Sequence, residues 1–274
     1  MNILLRSSSF IMPKNNAWHK LQKNRKLFFS EYGDVYSYKK IKHSPDCEIF
    51  VLFLKDIIDY FLNDFLEQKK EKNKIKKIIN LLKQQISLKK KTNFIICLSE
   101  HYYINITNLS KHTSYIKNIS KFFFDELYIL SKSNPNLFIV NIDDIFANHG
   151  YKKCFDQRNF FSIRCRLSLY GLEVLSENLN NLVSRIYNSS KKVLLLDCDN
   201  TIWGGVLGED GMQNLLIGQD GVGLAYLEFQ KAIKKLKEKG ILIALLSKNN
   251  ENDVKNLLKK HKSMILKNED ISSF

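Results

Sequence analysis

The chain has 274 residues, 44% of them hydrophobic and 12% aromatic, which excludes a disordered polymer and suffices for two domains with cores of their own. It carries 43 Lys and Arg against 28 Asp and Glu, and no apolar run approaches the ~20 residues that span a bilayer. Five cysteines (Cys47, Cys97, Cys154, Cys165 and Cys198) without a CxxC pair, and an apolar start too short for a secretory signal, point to a soluble cytoplasmic protein rather than a disulfide or zinc scaffold.

The charge is uneven. Residues 191–274 hold 13 Lys against 11 acids, and the other 190 residues hold 30 Lys and Arg against 17 acids. Such a bias attracts polyanions or an acidic partner, or it reflects lysines on solvated helix faces. The clusters at 69–72 and 89–91 lack interleaved aromatics and any nucleic-acid motif, so a nucleic-acid partner is not expected.

Residues 1–45 give no clear periodicity. Glu48–Leu54 reads as a buried strand, Ile57–Lys89 as one or two charged helices, and Phe94–Leu98 as a second strand. Tyr115–Ser131 is predicted helical, and Asn134-Pro135-Asn136 is a turn before a third strand, Leu137–Asn141. Gly171–Tyr187 reads as an amphipathic helix, followed by a short polar linker, Asn188-Ser189-Ser190. Alternation of strands and helices predicts an α/β domain with a parallel sheet over residues 1–190.

A second α/β unit is expected over 191–274. Val193–Leu196 is four consecutive apolar residues, read as a strand buried on both faces. Seven glycines between Trp203 and Gly223 predict turns and a hairpin. Leu224–Lys239 has helical spacing and ends at Gly240, Ile241–Leu246 is a buried strand, and Asp253–His261 starts another helix.

Chemistry concentrates at Asp197-Cys198-Asp199-Asn200-Thr201. Two carboxylates spaced i, i+2 at the carboxyl end of a parallel strand point the same way, toward one substrate or one cation. The bland reading is a capped turn, since Asp, Asn and Thr are ordinary loop residues. The chemical reading is phosphoryl transfer, with Asp197 as nucleophile, Asp199 as general acid/base, and Thr201 hydrogen-bonding the loop to fix the second carboxylate and counted among the phosphate-binding residues. Hard oxygen donors at Asp197 and Asp199 favour Mg²⁺. At the end of the next strand Ser247 offers a hydroxyl to phosphate oxygens, with Lys248 and Asn249 beside it; a plain helix N-cap is the alternative for Ser247.

The string Leu196 to Gly211 (LDCDNTIWGGVLGEDG), with Phe229-Gln230, Ser247-Lys248-Asn249-Asn250 and Lys260-His261, resembles the FkbH-like (HAD-IIIC) subfamily of the haloacid-dehalogenase superfamily. It matches strongly over 191–274 and more loosely over 134–190, through Asn134-Pro135-Asn136, Asp156 and Leu167-Ser168. The resemblance implies a HAD-like Rossmannoid parallel sheet, Mg²⁺ dependence, and processing of a phosphorylated three-carbon acyl donor (1,3-bisphosphoglycerate type) for loading on an acyl or peptidyl carrier protein. Only 45 residues separate Thr201 from Ser247, which leaves no room for a cap over the site. The resemblance further implies an SGNH/flavodoxin-like α/β domain in front, expected to be a non-catalytic scaffold. An esterase would need an early Gly-Asp-Ser, whereas Gly33-Asp34 is followed by Val35, and Ser7–Ser9 reads as a polar turn.

Two departures qualify the match. The family's third motif (a lysine) and fourth motif (paired acids) would lie beyond Phe274, so the sheet is expected to be incomplete. Leu246 stands where many members have cysteine before the serine. The alternative to an enzyme is therefore a truncated, inactive relative that acts as a binding module.

Overall fold

The computed structural model describes residues 1–12, 16–36, 38, 44–58, 65–100, 111–188 and 191–274. Of the linker expected at 188–190, residues 189–190 lie outside them. The chain divides into two compact units, Met1–Ile186 and Tyr187–Phe274.

The first unit is built on five parallel strands: β1 (Asn2–Ser7), β2 (Lys26–Phe29), β3 (Cys47–Phe53), β4 (Asn93–Ser99) and β5 (Leu137–Asn141). Their spatial order is β2-β1-β3-β4-β5, the doubly wound arrangement of flavodoxin-like sheets. The sheet is buried on both faces because alternate residues feed two separate cores. Ile49, Val51, Ile95 and Cys97 pack with Trp18 and the helix Leu169–Tyr187 on one side. Phe50, Leu52, Phe94 and Ile96 pack under the helices Phe65–Leu88 and Lys111–Lys132 on the other. β1 and β2, which the sequence did not announce, complete the sheet. Ser7, Ser8 and Ser9 are buried rather than a solvated turn: the Ser8 hydroxyl donates to Asp56 at 3.1 Å, and the Ser9 hydroxyl to the Arg164 carbonyl at 2.6 Å. Asp34 is likewise buried, in an ion pair with Arg6.

One close approach in this unit is sharp enough to test. A Cβ on Gly171 would sit 2.1 Å from the Cys154 carbonyl oxygen, which accepts the Ser168 N–H at 2.9 Å beside the start of the helix Leu169–Tyr187. Only backbone movement could relieve that overlap. Gly171→Ala is expected to destabilise the first unit by about 1–3 kcal/mol, read by denaturant unfolding; an unchanged midpoint would show that the turn gives way freely.

The second unit pairs β6 (Val193–Leu196) with β7 (Leu242–Leu245) in parallel, and Ser273 adds a further parallel bridge at Ala244. The helices Gly221–Glu238 and Glu251–Lys260 follow the two strands. Gly240, at φ +86°, closes the first of them, its N–H bonded to the Lys237 carbonyl. Both helices cover the same face, where Leu196, Ile243 and Leu245 meet Ile233, Val254 and Leu257. The expectation that Val193–Leu196 is buried on both faces is therefore corrected. Val193 and Leu195 are 56% and 57% exposed, and Leu242 and Leu246 are exposed with them, because no helix among the described residues covers that side. Among those residues, no helix is long and apolar enough to cross a membrane.

Candidate active site

The period of two along β6 sets the site. Leu194 and Leu196 turn toward the core, so Asp197 emerges on the opposite side and is exposed at the strand's carboxyl end. Its Oδ1 accepts the Cys198 N–H at 2.7 Å. Cys198 then turns inward and is fully buried, which returns Asp199 to the site, half-buried. The loop closes tightly: the Thr201 and Ile202 N–H groups bond to the Cys198 carbonyl, and Asn200, at φ +54°, accepts the Gly205 N–H on its Oδ1 at 2.9 Å. Gly204 pairs with Leu216 through two backbone hydrogen bonds; where the glycines predict a hairpin, the structure has this isolated antiparallel bridge closing a loop that contains the helical turn Leu207–Asp210. A Cβ on Gly204 would lie 2.7 Å from the Tyr226 ring, so the close packing of this loop needs glycine there.

Asp199 is held from three directions. Its Oδ1 accepts the Trp203 Nε1–H at 3.0 Å and the Leu207 N–H at 3.1 Å, and its Oδ2 accepts from Asn249 Nδ2 at 2.8 Å. Among the described residues these donors, not the Thr201 hydroxyl, fix the second carboxylate. Trp203 is fully buried and its indole needs a partner, which Asp199 provides.

The second strand delivers the rest. The Leu246 N–H extends the ladder to the Leu196 carbonyl at 2.8 Å, and Ser247 follows beside the DxD loop. The Ser247 hydroxyl oxygen accepts the Asn249 N–H and side-chain amide, and it is hydrogen-bonded to the Cys198 thiol. Burial pushes that thiol up to about 11 against the Ser247 hydrogen bond, and the neighbouring Asp197 and Asp199 charges push it the same way. Ser247 is not the helix cap: Asn250 caps Glu251–Lys260, its side chain accepting the Asn252 N–H.

A cavity of about 710 Å³ opens between the strand ends, with Asp197, Asp199, Ser247 and Lys248 in its wall and Leu195, Val206 and Leu246 around them. Of the residues expected at the site, these four line one space. Thr201, also expected among the phosphate contacts, is not in this wall; its N–H serves the loop, bonded to the Cys198 carbonyl. Asn249, expected among the phosphate contacts, instead turns its amide to Asp199 and Ser247. The hard-oxygen set fits a divalent cation at Asp197, whose carboxylate is exposed. The Asp199 carboxylate, expected as a second metal ligand, is already bonded to three donors. Among the described residues no group of three or more His, Cys, Asp or Glu gathers to hold a metal.

Sequence reasoning placed Trp203 and Gln230 in the family match but gave neither a role at the site. Gln230 is fully buried; its Nε2 donates to the Ile202 carbonyl at 2.9 Å and its Oε1 accepts the N–H groups of Ile265 and Leu266. It fastens the DxD loop to the segment after the last helix. A glutamine on the apolar stripe of a helix was the available signal. Gln230→Leu would take this partner from the buried Ile202 carbonyl and Leu266 N–H and from the part-buried Ile265 N–H. We expect a loss of about 2–4 kcal/mol, measured by hydrogen exchange at Ile265 and Leu266; protection equal to wild type would refute it.

No protein-family model matches the chain, and no curated protein matches it. Among solved structures it is similar to the N-terminal part of the protein BF1531 from Bacteroides fragilis, a part containing a phosphatase domain and crystallised with Mg, at 30% identity and a TM-score of 0.82 over 100% of this chain and 76% of that one. It also aligns with the acetyl xylan esterase AlAXEase at 11% identity and a TM-score of 0.41, covering 67% of this chain and 100% of that one; a likeness that low carries no argument.

Proposed function

The chain belongs to the HAD-like phosphatase family that includes BF1531, and on that premise we propose that its second unit transfers phosphoryl groups through a covalent aspartyl phosphate. The observation that carries this reading is the shared cavity wall of Asp197, Asp199 and Ser247. An Asp197 carboxylate oxygen attacks phosphorus while the bond from phosphorus to the leaving oxygen breaks, and protonated Asp199 supplies the proton which that oxygen needs. Asp199, now a carboxylate, takes a proton from a water molecule whose oxygen attacks the phosphorus. The bond from Asp197 to phosphorus breaks, inorganic phosphate leaves, and both aspartates return to their starting states. Ser247 and Lys248 hold the phosphate oxygens from the other strand. Bound at Asp197, Mg²⁺ supplies neutralisation of the charge shared by carboxylate and phosphate.

The finer reading is an uncapped site that serves a carrier-bound acceptor. The residues between Thr201 and Ser247 are spent on the bridged glycine loop with its short helical turn, the helix Gly221–Glu238 and β7, and the cavity stays open. The phosphopantetheine thiol of an acyl or peptidyl carrier protein would attack the acyl carbon of a 1,3-bisphosphoglycerate-type donor, forming a thioester as the bond from that carbon to the phosphate oxygen breaks and phosphate leaves with the thiol proton. Hydrolysis of the remaining phosphate ester at Asp197 then leaves a glyceryl group on the carrier. The first unit acts as scaffold or docking surface, in keeping with the burial of Ser7, Ser8 and Ser9.

The test is phosphate release from acetyl phosphate and from an alkyl phosphate by the purified chain. Release that stops on chelation and returns with Mg²⁺ is expected. No release from folded protein at saturating Mg²⁺ would overturn the reading and favour an inactive, binding relative. Carrier loading is checked separately, by the mass of a holo carrier protein incubated with acyl donor.

A further inference from the structure

Resting on the reading above, we propose that Asn249 is a positioning residue that holds Asp199 for proton transfer and leaves Oδ2 as its working oxygen. The Asn249 Nδ2 group has two protons, and it lies 2.8 Å from Asp199 Oδ2 and 3.1 Å from Ser247 Oγ. One amide thus ties the loop after β6 to the loop after β7, fifty positions apart in sequence. The amide is not occupied elsewhere by capping, because the N-cap of the following helix is Asn250. A carboxylate offers about four lone-pair positions. On Asp199, Oδ1 already accepts both the Trp203 indole and the Leu207 amide, whereas Oδ2 accepts Asn249 alone. The remaining acceptor position is therefore on Oδ2, and Asn249 sets its direction. Trp203 and the Leu207 N–H sit on a buried, closed loop, so they fix one edge of the carboxylate rigidly. Without the amide, the free edge would turn about the Oδ1 contacts.

Two measurements on the full chain test this. The first compares Asn249→Ala with wild type by kcat/KM on an alkyl phosphate, whose leaving oxygen needs a proton, and on acetyl phosphate, whose leaving carboxylate does not. A loss of about 10²-fold on the alkyl phosphate is expected, by the usual cost of misplacing a catalytic group, with a loss about tenfold smaller on acetyl phosphate. Equal losses on both substrates would mark a general structural role and overturn the proposal, as would no loss on either. The second needs no turnover. The chain has two tryptophans, so two indole N–H signals are resolved by ¹⁵N correlation NMR. In Asn249→Ala the Trp203 signal should move with Asp199, while that of Trp18, which donates to the Ile11 carbonyl, stays fixed. If wild type releases no phosphate, the functional reading fails by itself; an unmoved Trp203 signal would sink the bridge independently.

Discussion

Asp197→Asn is expected to abolish phosphate release, with kcat falling by at least about 10³-fold while the fold is kept. The substitution is nearly isosteric, and the amide oxygen can still accept the Cys198 N–H that Asp197 Oδ1 accepts at 2.7 Å. Asp197 is exposed, so stability should stay within about 0.5 kcal/mol of wild type. What disappears is the nucleophile: a neutral amide cannot form the acyl phosphate, and the path through a covalent intermediate closes. Steady-state phosphate release measures the loss. Acid-quenched enzyme should carry a phosphoryl group in wild type and none in the variant. Activity within tenfold of wild type would refute Asp197 as the nucleophile.

The second large effect lies in the first unit. Arg6→Leu is expected to cost about 3–5 kcal/mol, because it leaves buried carboxylates without their guanidinium. Arg6 is almost fully buried on β1; it pairs with Asp34, donates from Nε to Glu48 Oε2 at 3.1 Å, and stacks over the Tyr38 ring at 4.2 Å. Glu48, fully buried on β3, also accepts the Tyr38 hydroxyl and the Lys89 ammonium, each at 2.5 Å. Burial and the Glu48 charge hold the Tyr38 phenol well above its usual range, so this tyrosine stays neutral and donating. The network joins β1, β3, the short helix at Asp34–Tyr36 and the end of the helix Phe65–Leu88. Urea unfolding, followed by hydrogen exchange in β1 and β3, measures the change. The triple variant Arg6→Leu, Asp34→Leu, Glu48→Leu should recover much of the loss, since it removes the buried guanidinium together with both buried carboxylates and leaves only the Lys89 ammonium, which reaches solvent. A single-variant loss below about 1 kcal/mol would show the network to be solvated in practice.

Legibility in the sequence followed the range of the interaction. β3, β4 and β5 are apolar runs bounded by turn residues, and they stand within a residue of where periodicity placed them. β1 and β2 escaped because neither announces itself alone: Arg6 interrupts the apolar run of β1, and β2 is four residues long. The helix at Gly221 begins three residues before its apolar periodicity, since the turn glycines mask its start.

Local chemistry likewise gave the aspartate pair away, because strand alternation and the i, i+2 spacing alone aim both carboxylates at the site. The partners of Asp199 were beyond that logic. Trp203 is four residues on and Asn249 fifty, and their contacts exist only because β6 and β7 pair in one register, Leu196 beside Leu245. The same holds for the exposed face of β6. Four apolar residues predict burial on both sides, but whether each side is covered depends on where the helices land, and here both landed on one face. The sequence by itself determined the strand, the acidic loop and the chemistry they permit, all of which rest on neighbours within a few residues. The tertiary structure alone decided which donors hold each carboxylate and which surface stays open, because those depend on contacts between segments that the chain brings together only when it folds.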